Sequence, residues 1–200
     1  MEVAVFRKIQ GDTSYFITVS NRLLPDTEEI TLTIVNPLTW RSRIRYEHIV
    51  KKKGRAKIHG SLKITLNKEL VEDLELKKGE IVWVRILPFI ERPPDPPAIP
   101  YIAKPVKVHT DKSSLFFTIA KSQIDYLRMT GVVSGNNLYI EAIVPSGQRI
   151  EYVKRPIVIK RDRLYKVILP MRIFEGLVHA HDVIHVKITL TEKSEEYFYP

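Results

Sequence analysis

Two tandem β-rich barrels, each built from two strand-strand-helix-strand units, are the fold the sequence predicts. Three observations carry the prediction. An alternating strand recurs four times at a spacing of about 50 residues, a short helical stretch follows it in three of the copies, and a proline-rich segment divides the chain near its middle.

The recurring strands begin at Ser14, Leu62, Leu115 and Tyr165. In the second copy Leu62, Ile64 and Leu66 alternate with Lys63 and Thr65, the pattern of a strand with one face buried. The inward sets elsewhere are Ile17 and Val19, Phe117 and Ile119, and Val167 and Leu169. Asn67 stands where a helix N-cap belongs, ahead of a stripe of Leu70, Val71 and Leu74. Gly79 then turns the chain into a strand over 81–87, with Val82, Val84 and Ile86 facing inward and Trp83 and Arg85 outward. Its counterparts cover 30–35, 138–144 and 183–190, and a further short strand precedes each unit at 3–9, 55–59, 105–109 and 156–160.

Two copies depart from this pattern. Pro25 and the acidic run after it leave room for only a turn in the first copy, and 130–137 forms a longer loop in the third. The odd-numbered copies carry an added hairpin arm, 41–50 and 149–154. The expected organisation is a first barrel over 1–90 (units 1–53 and 54–90), a linker over 91–100, and a second barrel over 101–200 (units 101–155 and 156–200). Six of the thirteen prolines fall between Pro88 and Pro100, so this stretch is expected to be stiff and extended.

Composition narrows the function. Without cysteine there are no disulfides, thiolate metal sites or cysteine nucleophiles. No run approaches the roughly 20 apolar residues of a membrane-spanning helix, so a soluble, cytoplasmic protein with no membrane partner is expected. Few glutamines and abundant lysine, arginine and isoleucine give a thermophile-like balance. A net charge of +9 attracts polyanions. No phosphate-binding loop, dinucleotide fingerprint or carboxylate pair in a known motif is present, which argues against an enzyme and calls for no cofactor. His179, His181 and His185 lie where the other copies have no histidine, and read as surface residues rather than zinc ligands.

The second copy, Gly54-Arg-Ala-Lys-Ile-His-Gly-Ser-Leu-Lys-Ile-Thr-Leu-Asn-Lys-Glu-Leu70 followed by Leu74-Glu-Leu-Lys-Lys-Gly-Glu-Ile-Val-Trp-Val84, resembles the AbrB/MazE/SpoVT family of swapped-hairpin DNA-binding domains. Leu66-Asn67 stands for the family's Ile-Pro, Leu74-Glu75-Leu76 for its Leu-Gly-Ile, and Gly79-Glu80 for its Gly-Asp; Leu169-Pro170 in the fourth copy restores the proline. The resemblance implies barrels of mainly β structure with short helices, of swapped-hairpin or double-psi (cradle-loop) type, with both halves supplied by one chain. It also implies DNA contact through Lys8, Lys57, Lys107 and Lys160 on first strands, Arg163 on a turn, and Arg22, Lys68, Lys121 and Arg172 near helix starts. Glu72 and Asp73 stand where many members of the family carry arginine.

Charge patterning adds a second set. Lys51, Lys52, Lys53, Arg55 and Lys57 place five cations in seven residues, with Arg41 and Arg43 upstream; Lys154, Arg155, Lys160, Arg161 and Arg163 occupy the corresponding place in the second half. Such a run neutralises phosphates without reading sequence. Tyr46, Trp83 and Tyr152 are aromatics that either stack on bases or pack the barrels. The C-terminal 191–200 combines acids with three aromatics, as a final strand or as a docking segment for a protein partner. Duplex DNA is the expected partner and transcriptional or chromatin-like regulation the expected role. The alternatives are an antitoxin or assembly scaffold on the same barrels, a homo-oligomer included, and then RNA or single strands.

Overall fold

The computed structural model describes residues 2–42, 45–51, 60–89, 98–159 and 163–198, with backbone only for 41–42, 45–51 and 197–198. The chain is mainly β with three short α-helices and divides into two compact units, Met1–Ala98 and Ile99–Pro200. Among the described residues no helix is long and apolar enough to cross a membrane.

The first unit contains β1 (Val3–Lys8), β2 (Phe16–Ser20), a 3-10 turn (Asn21–Leu23), β3 (Glu29–Val35), a second 3-10 turn (Pro37–Ser42), β4 (Arg45–Lys51), β5 (Ser61–Thr65), α1 (Lys68–Asp73) and β6 (Ile81–Pro88). Its strands form an antiparallel sheet in the order β1-β6-β3-β4 and a separate antiparallel pair, β2-β5. Ile17 lies opposite Ile64 and Val19 opposite Leu62, so the inward sets predicted from alternation meet across the pair and all four are buried. Asn67 caps α1 through Oδ1, which accepts from the Leu70 N–H at 2.9 Å, and the helix buries Leu70.

In the second unit are β7 (Ile102–Lys107), β8 (His109–Thr110), β9 (Leu115–Ala120), α2 (Lys121–Met129), β10 (Asn137–Ile143), β11 (Arg149–Lys154), β12 (Ile157–Ile159), β13 (Leu164–Ile168), α3 (Met171–Phe174), β14 (Val183–Thr191) and β15 (Glu196–Phe198). Here the strand orders are β7-β14-β10-β11-β15 and β12-β13-β9-β8. Apart from the additions at the edges, this is the pairing scheme of the first unit.

The two units also repeat individual hydrogen bonds. The Leu66 N–H donates to the Tyr15 carbonyl at 2.8 Å, and that of Leu169 to Leu115 at 2.9 Å. Ile9 donates to the Glu80 carbonyl and Val108 to that of Asp182, both at 2.8 Å, while the N–H groups of Gly79 and His181 return to Ile9 and Val108. A carboxylate closes each of these turns: Glu80 accepts from the Lys77 N–H and Asp182 from that of His179, both at 2.7 Å. Register across the units is therefore fixed residue by residue around the turn that enters the last strand.

One expectation is corrected. Trp83 and Arg85 alternate away from the core side of β6, yet they are 0% and 3% exposed. The outer face of this sheet is itself covered: Trp40 stands edge-on to Trp83 at 5.0 Å, and Arg85 Nη2 donates to Thr33 Oγ1 at 3.1 Å. The hairpin arm at 149–154 forms as the sequence predicts, antiparallel to β10. It lies along β10 as β7 lies along β14, then bends at Arg155-Pro156 and continues as β12 on β13. In the same way β7 continues past Val108 as β8 on β9. Pro156, with no N–H to give a ladder, stands at the bend.

The second core is packed around Tyr152 and Phe174, both fully buried, with rings edge-on at 5.5 Å. The Tyr152 hydroxyl has no hydrogen-bond partner among the described residues, and burial pushes its pKa up. Tyr152→Phe deletes only that desolvated oxygen and is expected to leave stability unchanged or raise it by about 1 kcal/mol, read by thermal melting.

Candidate nucleic-acid interface

The pairing register exposes a feature that spacing along the chain conceals. Each strand that pairs along the outer side of a last strand ends on a lysine: Lys8 opposite Ile81, Lys51 opposite Glu29, Lys107 opposite Val183 and Lys154 opposite Leu138. Lys57 and Lys160, assigned to this role by sequence, lie outside the described residues, as do Arg43, Lys52, Lys53, Arg55 and Arg161. For Arg41 and Lys51 the backbone alone is described.

Among the remaining candidates, Lys8, Lys107, Arg155, Arg163 and Arg172 are exposed. Lys8, Lys107, Arg163 and Arg172 form no ion pair among the described residues. Lys154 is mostly buried and engaged, with Nζ 2.7 Å from Glu195 Oε2; the Arg155 N–H donates to Glu195 Oε1 at 3.1 Å. The acidic C-terminal segment thus already occupies this basic corner, and these contacts hold the Glu195 carboxyl below the usual range. Tail strand β15 pairs with β11 beside it.

Lysines of one unit do not gather at one point. Val183 and Leu190, which flank the places of Lys107 and Lys154, are seven residues apart on β14, roughly 24 Å along an extended strand. They mark two ends of a sheet, and the first unit repeats the arrangement with Lys8 and Lys51.

Arg163 sits in a strained turn. Its φ is +51°, in the left-handed region that disfavours side chains, and its carbonyl accepts from the Lys121 N–H at 2.8 Å. The equivalent turn of the first unit has Gly60 at φ +70°, accepting from Asn21 at 2.8 Å. An arginine here costs about 1 kcal/mol that glycine avoids. Arg163→Gly is therefore expected to raise the melting stability of the second unit while weakening polyanion binding; a loss of both would mean that the side chain is structural.

Sequence reasoning missed a further recurring pair. Lys63 Nζ lies 4.0 Å over the Phe16 ring and Lys166 Nζ 4.3 Å over Phe116, at equivalent places on the solvent side of β2-β5 and β9-β13. The signal was present as a lysine and a phenylalanine at matching offsets in alternating strands. Lys166 also contacts Asp111, and this contact with the Ser114 hydrogen bonds holds the Asp111 carboxyl far below its ordinary value. The pair is intact at neutral pH and is lost only as the pH falls through that lowered value.

Trp83 and Tyr152 are fully buried and cannot stack on bases. On the second unit's outer sheet face, Arg149 bridges Glu141 at 2.7 Å and Glu151 at 2.9 Å, and Lys187 reaches Glu141 at 3.9 Å. Tyr139 donates to Glu151, and desolvation together with that bond pushes its phenol up to about 12. Opposite charges already interleave on this face, which leaves it little field for a phosphate backbone. Compared with known protein families, with curated proteins and with solved structures, the chain matches none.

Proposed function

We propose that this protein binds duplex DNA without strong sequence preference, as a non-enzymatic, cytoplasmic regulator or chromatin-like factor. The observation that carries the reading is a lysine at the end of each of four strands that pair along a last strand, Lys8, Lys51, Lys107 and Lys154, with Lys154 one register place inside that of Lys51. Neutralising phosphates at such points releases counterions and gives affinity that falls steeply with salt. Arg163 adds a cation on a turn held in a costly conformation.

The architecture we infer is a swapped-hairpin or double-psi barrel in each unit, of the kind the AbrB/MazE/SpoVT resemblance implies. Supporting it are the antiparallel pairing of the two second strands and of the two last strands within each unit, and the first strands that bend from one sheet into the other.

The test is a salt titration of binding to several unrelated duplexes. Log affinity is expected to fall linearly with log salt, with similar slopes for every sequence. No binding at low salt would reject the DNA reading. It would favour a protein-binding scaffold, for which the exposed Ile157 and Val158 on edge strand β12 are the supporting observation.

A further inference from the structure

A groove of about 360 Å³ opens in the second unit between the turn before β9 and the segment that runs from α3 into β14. Leu115, Met171 and Val178 supply apolar lining, Asp111 and Glu175 supply carboxylates, and Ser113 supplies a hydroxyl. The first unit indicates what belongs there. Counting from the equivalent hydrogen bonds at Ile9 and Val108, Asp12 corresponds to Asp111; counting from Gly79 and His181, Lys78 corresponds to Ala180.

In the first unit the Lys78 ammonium bridges to Asp12 across the two segments. At the equivalent place the second unit has a methyl group, and the groove stands open. Asp111 turns instead to Lys166 through Oδ2, while its Oδ1 accepts from Ser114. Oδ1 also accepts from the N–H groups of Ser113 at 3.4 Å and Ser114 at 3.1 Å, so only Oδ2, with about two acceptor positions of which Lys166 takes one, has room for a further donor. Glu175 is exposed and forms no ion pair among the described residues.

We infer that this groove is an acceptor for a primary alkylammonium group, supplied by a lysine side chain of a partner peptide or by a free polyamine. The apolar lining takes the methylene stem while the two carboxylates take the charged head, the division of labour that suits a long amphipathic side chain. Lys112 on the rim opposes a cation, so charge alone does not fill the site and the stem must contribute.

The experiment is a chemical-shift titration of the full-length protein with N-acetyl-lysine methylamide, with spermidine, and with the uncharged N-acetyl-norleucine methylamide. Saturable shifts at Leu115, Met171 and Val178 with the lysine derivative or spermidine, and none with the norleucine derivative, are expected. Tighter binding of the lysine derivative assigns the source to a protein side chain; tighter binding of spermidine assigns it to a polyamine. Glu175→Gln should weaken the response about fivefold. Ala180→Lys, which restores the first unit's bridging side chain, should abolish it. Equal response to the norleucine derivative, unchanged binding in both variants, or no saturable shift at these residues would overturn the inference.

Discussion

Replacing Lys8, Lys51, Lys107 and Lys154 together with glutamine is expected to lower duplex affinity by roughly 10³-fold at about 0.1 M salt. Each phosphate contact contributes about 0.9 to the slope of log affinity against log salt, so each is worth a little under tenfold at that concentration. The four should not count equally. Lys8 and Lys107 are exposed and free of ion pairs among the described residues, whereas Lys154 is held by Glu195 at 2.7 Å. Single Lys8→Gln and Lys107→Gln variants should therefore each cost about eightfold and flatten the slope by about one. Lys154→Gln should cost less. Lys8 and Lys107 end strands at the surface, so the circular dichroism melts of their single variants should move little. A combined variant with wild-type affinity and slope would end the proposal.

Gly135→Ala is expected to be the most damaging single methyl in the second unit. Gly135 has φ +124°, and a Cβ built there would sit 2.0 Å from the Thr191 carbonyl oxygen and 2.8 Å from the Glu192 nitrogen. Both obstacles are backbone, so no rotamer change relieves the contact. The loop is also tied down on this side, with Asn137 Nδ2 donating to the Lys193 carbonyl at 2.7 Å and Ser134 bonded to Glu192. A loss of about 3 kcal/mol is expected, combining backbone strain with a clash that must displace the end of β14. Gly147→Ala is the matched control: φ is +88°, but nothing lies within 4 Å of the added methyl, so about 1 kcal/mol is expected. Urea titration of both variants reads the difference; equal losses would show that conformation, not the close approach, sets the cost.

Alternation made the second and last strands legible, because a residue such as Ile64 or Val167 must be buried while its neighbours face water. The cap at Asn67 was legible for the same local reason. Trp83 and Arg85 were misread because alternation reports which face a side chain joins, not whether that face is covered. The ring that covers Trp83 comes from Trp40, more than forty residues away. The arm at 149–154 was legible as a hairpin on β10, but its continuity with β12 was not, because a strand bent at a proline looks, in one dimension, like two elements. Lys57 and Lys160, which the sequence matched to Lys8 and Lys107, lie outside the described residues. Composition and charge pointed to a polyanion partner, but only the pairing showed that four strands end on a lysine. Strain at Arg163 was visible only by setting its turn beside the one at Gly60.

The connection between the outermost segments of the first unit bears on its synthesis. β1 pairs with β6, so during synthesis Val3 waits for Ile86. A nascent chain must extend through Pro88 before β6 can join β1 to the β3-β4 hairpin. Until then β1 carries an apolar face and amide groups paired only with water, the state in which emerging polypeptides are most exposed to mispairing and most dependent on chaperones.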